Sequence, residues 1–226
     1  MRERLPAVLR RVIRPRWFGI RSRIGPVSEH WGYERGTPID RWYIEQFLAE
    51  HRADVRGRVL EVKDDGYARR FGGSVDHVDV LDIDPGNERA TIVTDLADAA
   101  AIPDAAYDCV VLTQTLQYVP RVADALRQAR RILAPGGTLL ATVPSLSRVV
   151  AADPVFDDHW RFTEASCTAL FEDAFGPGRV EVRTYGNATA GAGFLLGYAA
   201  EELSRRERDT VDPRFPVVVA VRAVRA

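Results

Sequence analysis

At 226 residues and 46% hydrophobic content, the chain can bury a full core, and its length fits one large domain rather than two. A formal net charge of −1 gives the whole molecule no field favouring a polyanion such as duplex nucleic acid. No apolar run nears the roughly 20 residues that span a bilayer, and no signal-peptide core precedes a small-residue cleavage site, so a cytoplasmic protein is expected.

The chain begins with a basic amphipathic arm. Arg2, Arg4, Arg10, Arg11, Arg14, Arg16, Arg21 and Arg23 stand against Glu3 and are interleaved with Leu5, Val8, Leu9, Val12, Ile13, Trp17 and Phe18. One reading is a helix that packs its apolar stripe on the domain and turns its arginines to water. Others are contact with an anionic membrane surface or with a phosphorylated or nucleic-acid partner, or targeting. From Gly57 onward, short apolar runs alternate with helical stretches, the pattern of a mostly parallel sheet covered on both faces. Candidate strands are 58–62, 77–82, 90–94, 107–112 and 138–143. Between the last two, Val122, Leu126, Ala129 and Leu133 mark a crossover helix that Ala134-Pro-Gly-Gly137 terminates. Further on, 164–175 reads as a helix, 179–185 as a strand, 193–208 as a helix and 215–221 as a final strand. These predict a Rossmann-like, doubly wound α/β fold: seven strands, mostly parallel, with an antiparallel C-terminal edge strand. Cys109 and Cys167 lack zinc-ligand spacing and read as core thiols.

In such sheets ligands sit beyond the carboxyl ends of the strands. Those ends carry Glu61 and the loop Lys63-Asp64-Asp65-Gly66-Tyr67; Asp82 and Asp84; Asp95 and Leu96; and Thr113 and Gln114. The Glu61 to Asp82 separation is about the 20 residues by which a nucleotide fold sets a carboxylate under ribose hydroxyls. Acids at strand ends also cap helices and satisfy loop amides, so the joint pattern carries more than any one of them.

The stretch from Ile102 to Val119, followed by Ala125 to Leu140, resembles the fourth strand, crossover helix and fifth strand of the class I S-adenosylmethionine-dependent methyltransferases, in the small-molecule branch with the type 11 domain. The similarity extends over roughly residues 55–145, with a lead-in at Trp31–Tyr43 like that of a bacterial subgroup. The resemblance implies S-adenosyl-L-methionine as cofactor, with residues 1–45 as an arm and lead-in helix covering the site and 46–226 as the methyltransferase domain. It also implies that Glu61 organises the cofactor loop, Asp82 holds the ribose, Asp95 and Leu96 the adenine, and Thr113 and Gln114 the methionine part. Tyr43 is expected to pack on the cofactor. The family's glycine-rich first loop is missing: Lys63, Asp65 and Tyr67 stand where glycines are usual. Either Lys63 or Asp65 contacts the cofactor's amino-acid end there, or cofactor binding has been lost.

On the acceptor side, methyl transfer to a hydroxyl needs a proton removed, and histidine is the usual base. Of His30, His51, His77 and His159, only His159 follows the fifth strand, in Asp157-Asp158-His159-Trp160, so His159 is the candidate base and Tyr118 a second acceptor contact. The same stretch could instead be a packed lid ending in a helix cap at Thr163. Asp157, Asp158 and His159 lack the partners a metal site needs, and no metal is expected. The loop 186–193 reads as mobile and able to line an acceptor pocket. Expected is O-methylation of a small metabolite, such as a sugar or a natural-product intermediate of bacterial secondary metabolism. A silent or regulatory cofactor fold, or transfer to nitrogen or RNA, stands as the alternative; nucleic acid is not an expected partner.

Overall fold

The computed structural model describes residues 24–150 and 157–226, so the basic arm over residues 1–23 lies outside the described residues. Within them a seven-stranded sheet forms the centre: β1 Arg56–Val62, β2 Ser74–Asp82, β3 Ile92–Val93, β4 Tyr107–Thr113, β5 Leu133–Pro144, β6 Val180–Tyr185 and β7 Val218–Val224, in the order 3-2-1-4-5-7-6. β1 pairs in parallel with both β2 and β4, β2 with β3, and β4 with β5. The C-terminal strand β7 is antiparallel to β5 and β6, and lies between them. The chain order therefore reverses between β1 and β4, and the crevice of a doubly wound sheet opens at that point.

Helices cover both faces because the inner strands are apolar on both sides. In β4 the residues Cys109, Val110, Val111 and Leu112 are all buried. One face packs against α3 (Val122–Ile132) and α4 (Glu164–Phe175), with Leu126, Ala129, Ile132, Cys167 and Phe171 in the main core. The other packs against α1 (Ile39–Glu50) and α2 (Gly66–Phe71), through Ile44, Phe47, Leu48 and Ala68. Both cysteines are free and buried. α4 starts where its cap residues require: Thr163 Oγ1 accepts from the Ser166 amide at 3.1 Å, and Ser166 Oγ from the Thr163 amide at 3.0 Å.

The structure corrects the reading of the C-terminal third. Residues 193–208 are not one helix. α5 runs over Ala188–Leu196, ends at Gly197 in the left-handed region (φ 74°), and is followed by a 3-10 turn at Ala200–Glu202 and a short α6 at Arg205–Asp209. Only glycine fits at 197, since a Cβ there would lie 2.4 Å from the Ser28 carbonyl oxygen. Residues 188–193 belong to α5 rather than to a loop, because Asn187 caps the helix by accepting from the Thr189 and Ala190 amides, each at 3.0 Å. The last strand starts later than expected, at Val218. The lead-in is fastened to this region. Val27 N–H donates to the Leu196 carbonyl at 2.8 Å, Arg35 Nε to both carboxylate oxygens of Glu202 at 3.0 and 3.1 Å, and the Thr37 hydroxyl to Glu201 at 2.8 Å.

Candidate functional site

A cleft of about 900 Å³ opens over the carboxyl ends of β1, β2, β3 and β4, a size that holds a cofactor-sized ligand. Of the residues singled out in the sequence, Glu61, Lys63, Asp82, Asp95, Leu96, Thr113, Gln114, Tyr118 and His159 line it together. Tyr43 and Asp65 do not. The Tyr43 ring is buried in a separate cluster with Ile39, Phe194 and Val217, and its hydroxyl donates to the Arg208 carbonyl at 2.8 Å. The Asp65 carboxylate turns back to Arg69, one helical turn along α2.

Each acid has a local task. Glu61, only 2% exposed, accepts from the Tyr67 and Ala68 amides at 3.1 and 2.7 Å and so fixes the start of α2. Burial pushes its carboxyl up to about 7, against the pull of those amides, with Asp64 and Asp65 adding to the rise. Asp82 accepts from the Asp84 amide at 3.1 Å and from Asn87 Nδ2 at 2.6 Å; Asn87 also donates to the Lys63 carbonyl at 2.8 Å, tying the first and second strand tips. A carboxylate has about four lone-pair sites, so Asp82 keeps capacity toward the cleft. Asp95 accepts from the Ala97 amide at 2.8 Å, which caps the 3-10 turn Leu96–Asp98, and stands 3.6 Å from Arg121.

Backbone strain concentrates here. The described non-glycine residues with positive φ are Trp31 (54°), Lys63 (77°), Ala105 (55°) and Gln114 (49°), and all but Ala105 line the cleft. Lys63 thus takes the left-handed conformation that a glycine would adopt freely.

The far wall is built by the segment after β5. His159 N–H and Trp160 N–H both donate to the Gln117 carbonyl, at 2.9 and 3.2 Å, and Trp160 Nε1 donates to Val119 at 3.0 Å. His159 itself is exposed to the cleft. Asp158 is committed elsewhere: it accepts from Arg161 at 2.9 Å and from the Val150 amide at 3.0 Å, and Arg161 holds its carboxyl below the usual range. Among the described residues no group of three or more His, Cys, Asp or Glu is arranged to hold a metal ion. The Arg148 guanidinium stacks on Trp31 at 3.5 Å and joins this segment to the lead-in. Sequence reasoning passed over Trp31, Tyr33, Asp40, Arg41 and Gln117, which also line the cleft; their only signal was membership of the lead-in and of the turn after β4.

The lining holds Asp40, Glu61, Asp64, Asp82, Asp84, Asp95 and Asp157 against Arg41, Lys63 and His159. Such an excess of carboxylates favours a cationic ligand over a pyrophosphate.

Residues 67–141 match the model of a methyltransferase domain family. The chain is 34% identical over 103 residues to the ubiquinone/menaquinone biosynthesis C-methyltransferase UbiE of Methylobacterium nodulans, covering 40% of this chain; it thus spans about two fifths, 41%, of that relative's length. Solved structures with the same fold include an S-adenosylmethionine-dependent methyltransferase from Mesorhizobium loti (TM-score 0.53, 18% identity, 83% of this chain and 98% of that one). A methyltransferase from Archaeoglobus fulgidus aligns at TM-score 0.55 and 14% identity, over 88% of this chain and 100% of its own. The cyclase SpnF aligns at 0.54 and 17%, over 84% and 83%. The fold is therefore that of the class I methyltransferases, on which more than one chemistry is found.

Proposed function

We propose, from a chain that resembles the class I S-adenosylmethionine-dependent methyltransferases in both sequence and fold, that this protein transfers a methyl group to a small acceptor molecule. S-adenosyl-L-methionine is the cofactor that domain and fold imply. The observation that carries the reading is one acid-rich cleft at the reversal point of the sheet, into which Glu61, Asp82 and Asp95 converge from the tips of three neighbouring strands. The residues fit the cofactor. Asp82 has lone pairs left for a ribose diol, Asp95 and Leu96 line the cleft beyond β3 on the side assigned to the adenine, and the lining suits a ligand that bears a positive sulfonium. When bound, the cofactor supplies an electrophilic methyl group for in-line displacement.

The chain's own part is to orient, exclude water and move one proton. Trp31 lines the cleft, and the Arg148 guanidinium stacked on its ring holds that wall in place. His159 is the base we assign to the acceptor, its backbone held on Gln117, with Tyr118 beside it as a contact. Removing the proton of a hydroxyl yields a nucleophilic oxygen, the route to O-methylation of a sugar or natural-product hydroxyl. The UbiE relative favours a second reading, a carbon acceptor: a deprotonated phenol is nucleophilic at its ring carbons too, so one base serves either outcome.

Titration calorimetry tests the core of the proposal. Wild-type protein should bind S-adenosylmethionine and S-adenosylhomocysteine saturably, and Asp82→Ala should weaken both at least tenfold, by roughly the 1.5–3 kcal/mol of a charge-assisted hydrogen bond. Heat with neither ligand, or an Asp82→Ala variant that binds as wild type, would remove the assignment.

A further inference from the structure

The wall of the cleft at the start of α1 contains charged groups that keep hydrogen-bonding capacity to spare. One carboxylate oxygen of Asp40 is buried and accepts no hydrogen bond among the described residues. Arg41, the next residue, donates from Nη1 to the Tyr67 hydroxyl at 2.7 Å, which orients the guanidinium and leaves further N–H groups unspent. Lys63, across the same cleft, has no ion pair or hydrogen bond to its ammonium among the described residues. A buried carboxylate oxygen without a donor is costly, and burial pushes the Asp40 carboxyl up from its ordinary value against the pull of Arg41 and the local amides. Such a group is explained if a ligand supplies the missing donor.

We infer that Asp40 and Arg41 form a clamp for the zwitterionic amino-acid end of the cofactor, Asp40 accepting from its α-ammonium and Arg41, aided by Lys63, donating to its α-carboxylate. The inference rests on the methyltransferase reading and departs from a glycine-rich loop. The loop after β1 has side chains at 63, 65 and 67, and its backbone cannot approach a ligand as glycines would. Side chains from the lead-in helix supply the recognition instead. The Arg41–Tyr67 bond ties that helix to the loop, so the clamp and the adenosine site hold one relative position.

The test compares two ligands that share the adenosine: S-adenosylhomocysteine, which has the amino-acid end, and 5′-methylthioadenosine, which lacks it. By calorimetry on the full chain, Asp40→Asn should weaken S-adenosylhomocysteine by about 10- to 100-fold, the range of a charge-assisted hydrogen bond, and leave 5′-methylthioadenosine within about twofold. The second ligand thus reports that the variant is folded. On wild-type protein, an S-adenosylhomocysteine analogue without the α-amino group should lose a similar factor, a measurement that needs no mutation. Equal wild-type affinity for the two adenosine ligands, or full S-adenosylhomocysteine affinity in Asp40→Asn, overturns the clamp alone. A wild-type protein that binds neither overturns the methyltransferase reading and the clamp with it.

Discussion

At the residue scale, two side chains depart from their ordinary behaviour. Glu61 is buried among amides and other acids, and its carboxyl is raised to about 7 in the folded chain against 4.5 unfolded. A raised folded pKa means that the native state holds the proton longer, so the stabilisation is complete below about pH 4.5 and is lost as pH rises through 7. The change is on the order of 3 kcal/mol. Denaturant midpoints between pH 5 and 8 should fall for the wild type and change less for Glu61→Gln; parallel curves would refute this. Lys63 carries a left-handed backbone at φ 77°. Lys63→Gly should therefore raise stability by about 1 kcal/mol in urea melts, relief of the Cβ clash outweighing glycine's greater unfolded entropy. At His159 the expected effect is on turnover. His159→Ala should lower kcat by about 10²- to 10⁴-fold while cofactor affinity stays constant, and unchanged turnover would dismiss it as the base.

At the element scale, α5 is decided by its ends. Asn187 accepts from two amides at the start of α5 and donates to the Glu207 and Thr210 carbonyls at 2.8 and 2.6 Å. Asn187→Ala removes the cap and strands two carbonyls, and should cost about 2 kcal/mol by chemical denaturation; a loss below 0.5 kcal/mol would show the cap is dispensable. Periodicity alone joins 193–208 into one helix because Leu195, Leu196, Tyr198, Ala199 and Leu203 keep an apolar rhythm through Gly197. What breaks it is Gly197 in the left-handed conformation, where the Ser28 carbonyl, from the lead-in far away in sequence, takes the space a Cβ would need. The same long range hides Tyr43. Its place in the lead-in pattern suggests a ligand contact, but it sits on the inner side of α1 against Tyr185, with ring centroids 6.0 Å apart.

At the scale of the whole molecule, the cleft joins the strand tips, the lead-in and the segment after β5. A ligand that binds only this assembled state stabilises it by mass action, about 2.7 kcal/mol at 100 times Kd. For a domain of this size that corresponds to roughly 5–11 °C in Tm. Thermal melts with S-adenosylhomocysteine should show such a rise, and NAD, with its pyrophosphate, should show none; the reverse order would contradict the charge argument. No helix among the described residues is long and apolar enough to cross a membrane.

By itself the sequence determined the alternating strands and helices, and with them the position of Glu61, Asp82, Asp95 and Gln114 at strand tips. Those follow from local apolar runs, breakers and spacing, which short-range sterics and burial convert into elements. Only the tertiary structure decided which face of α1 meets the cleft, and that Asp40 lies in the wall with a carboxylate oxygen unanswered. A strand fixes where its last residue points. A helix laid across the sheet does not, because its rotation is set by packing partners far away in the chain.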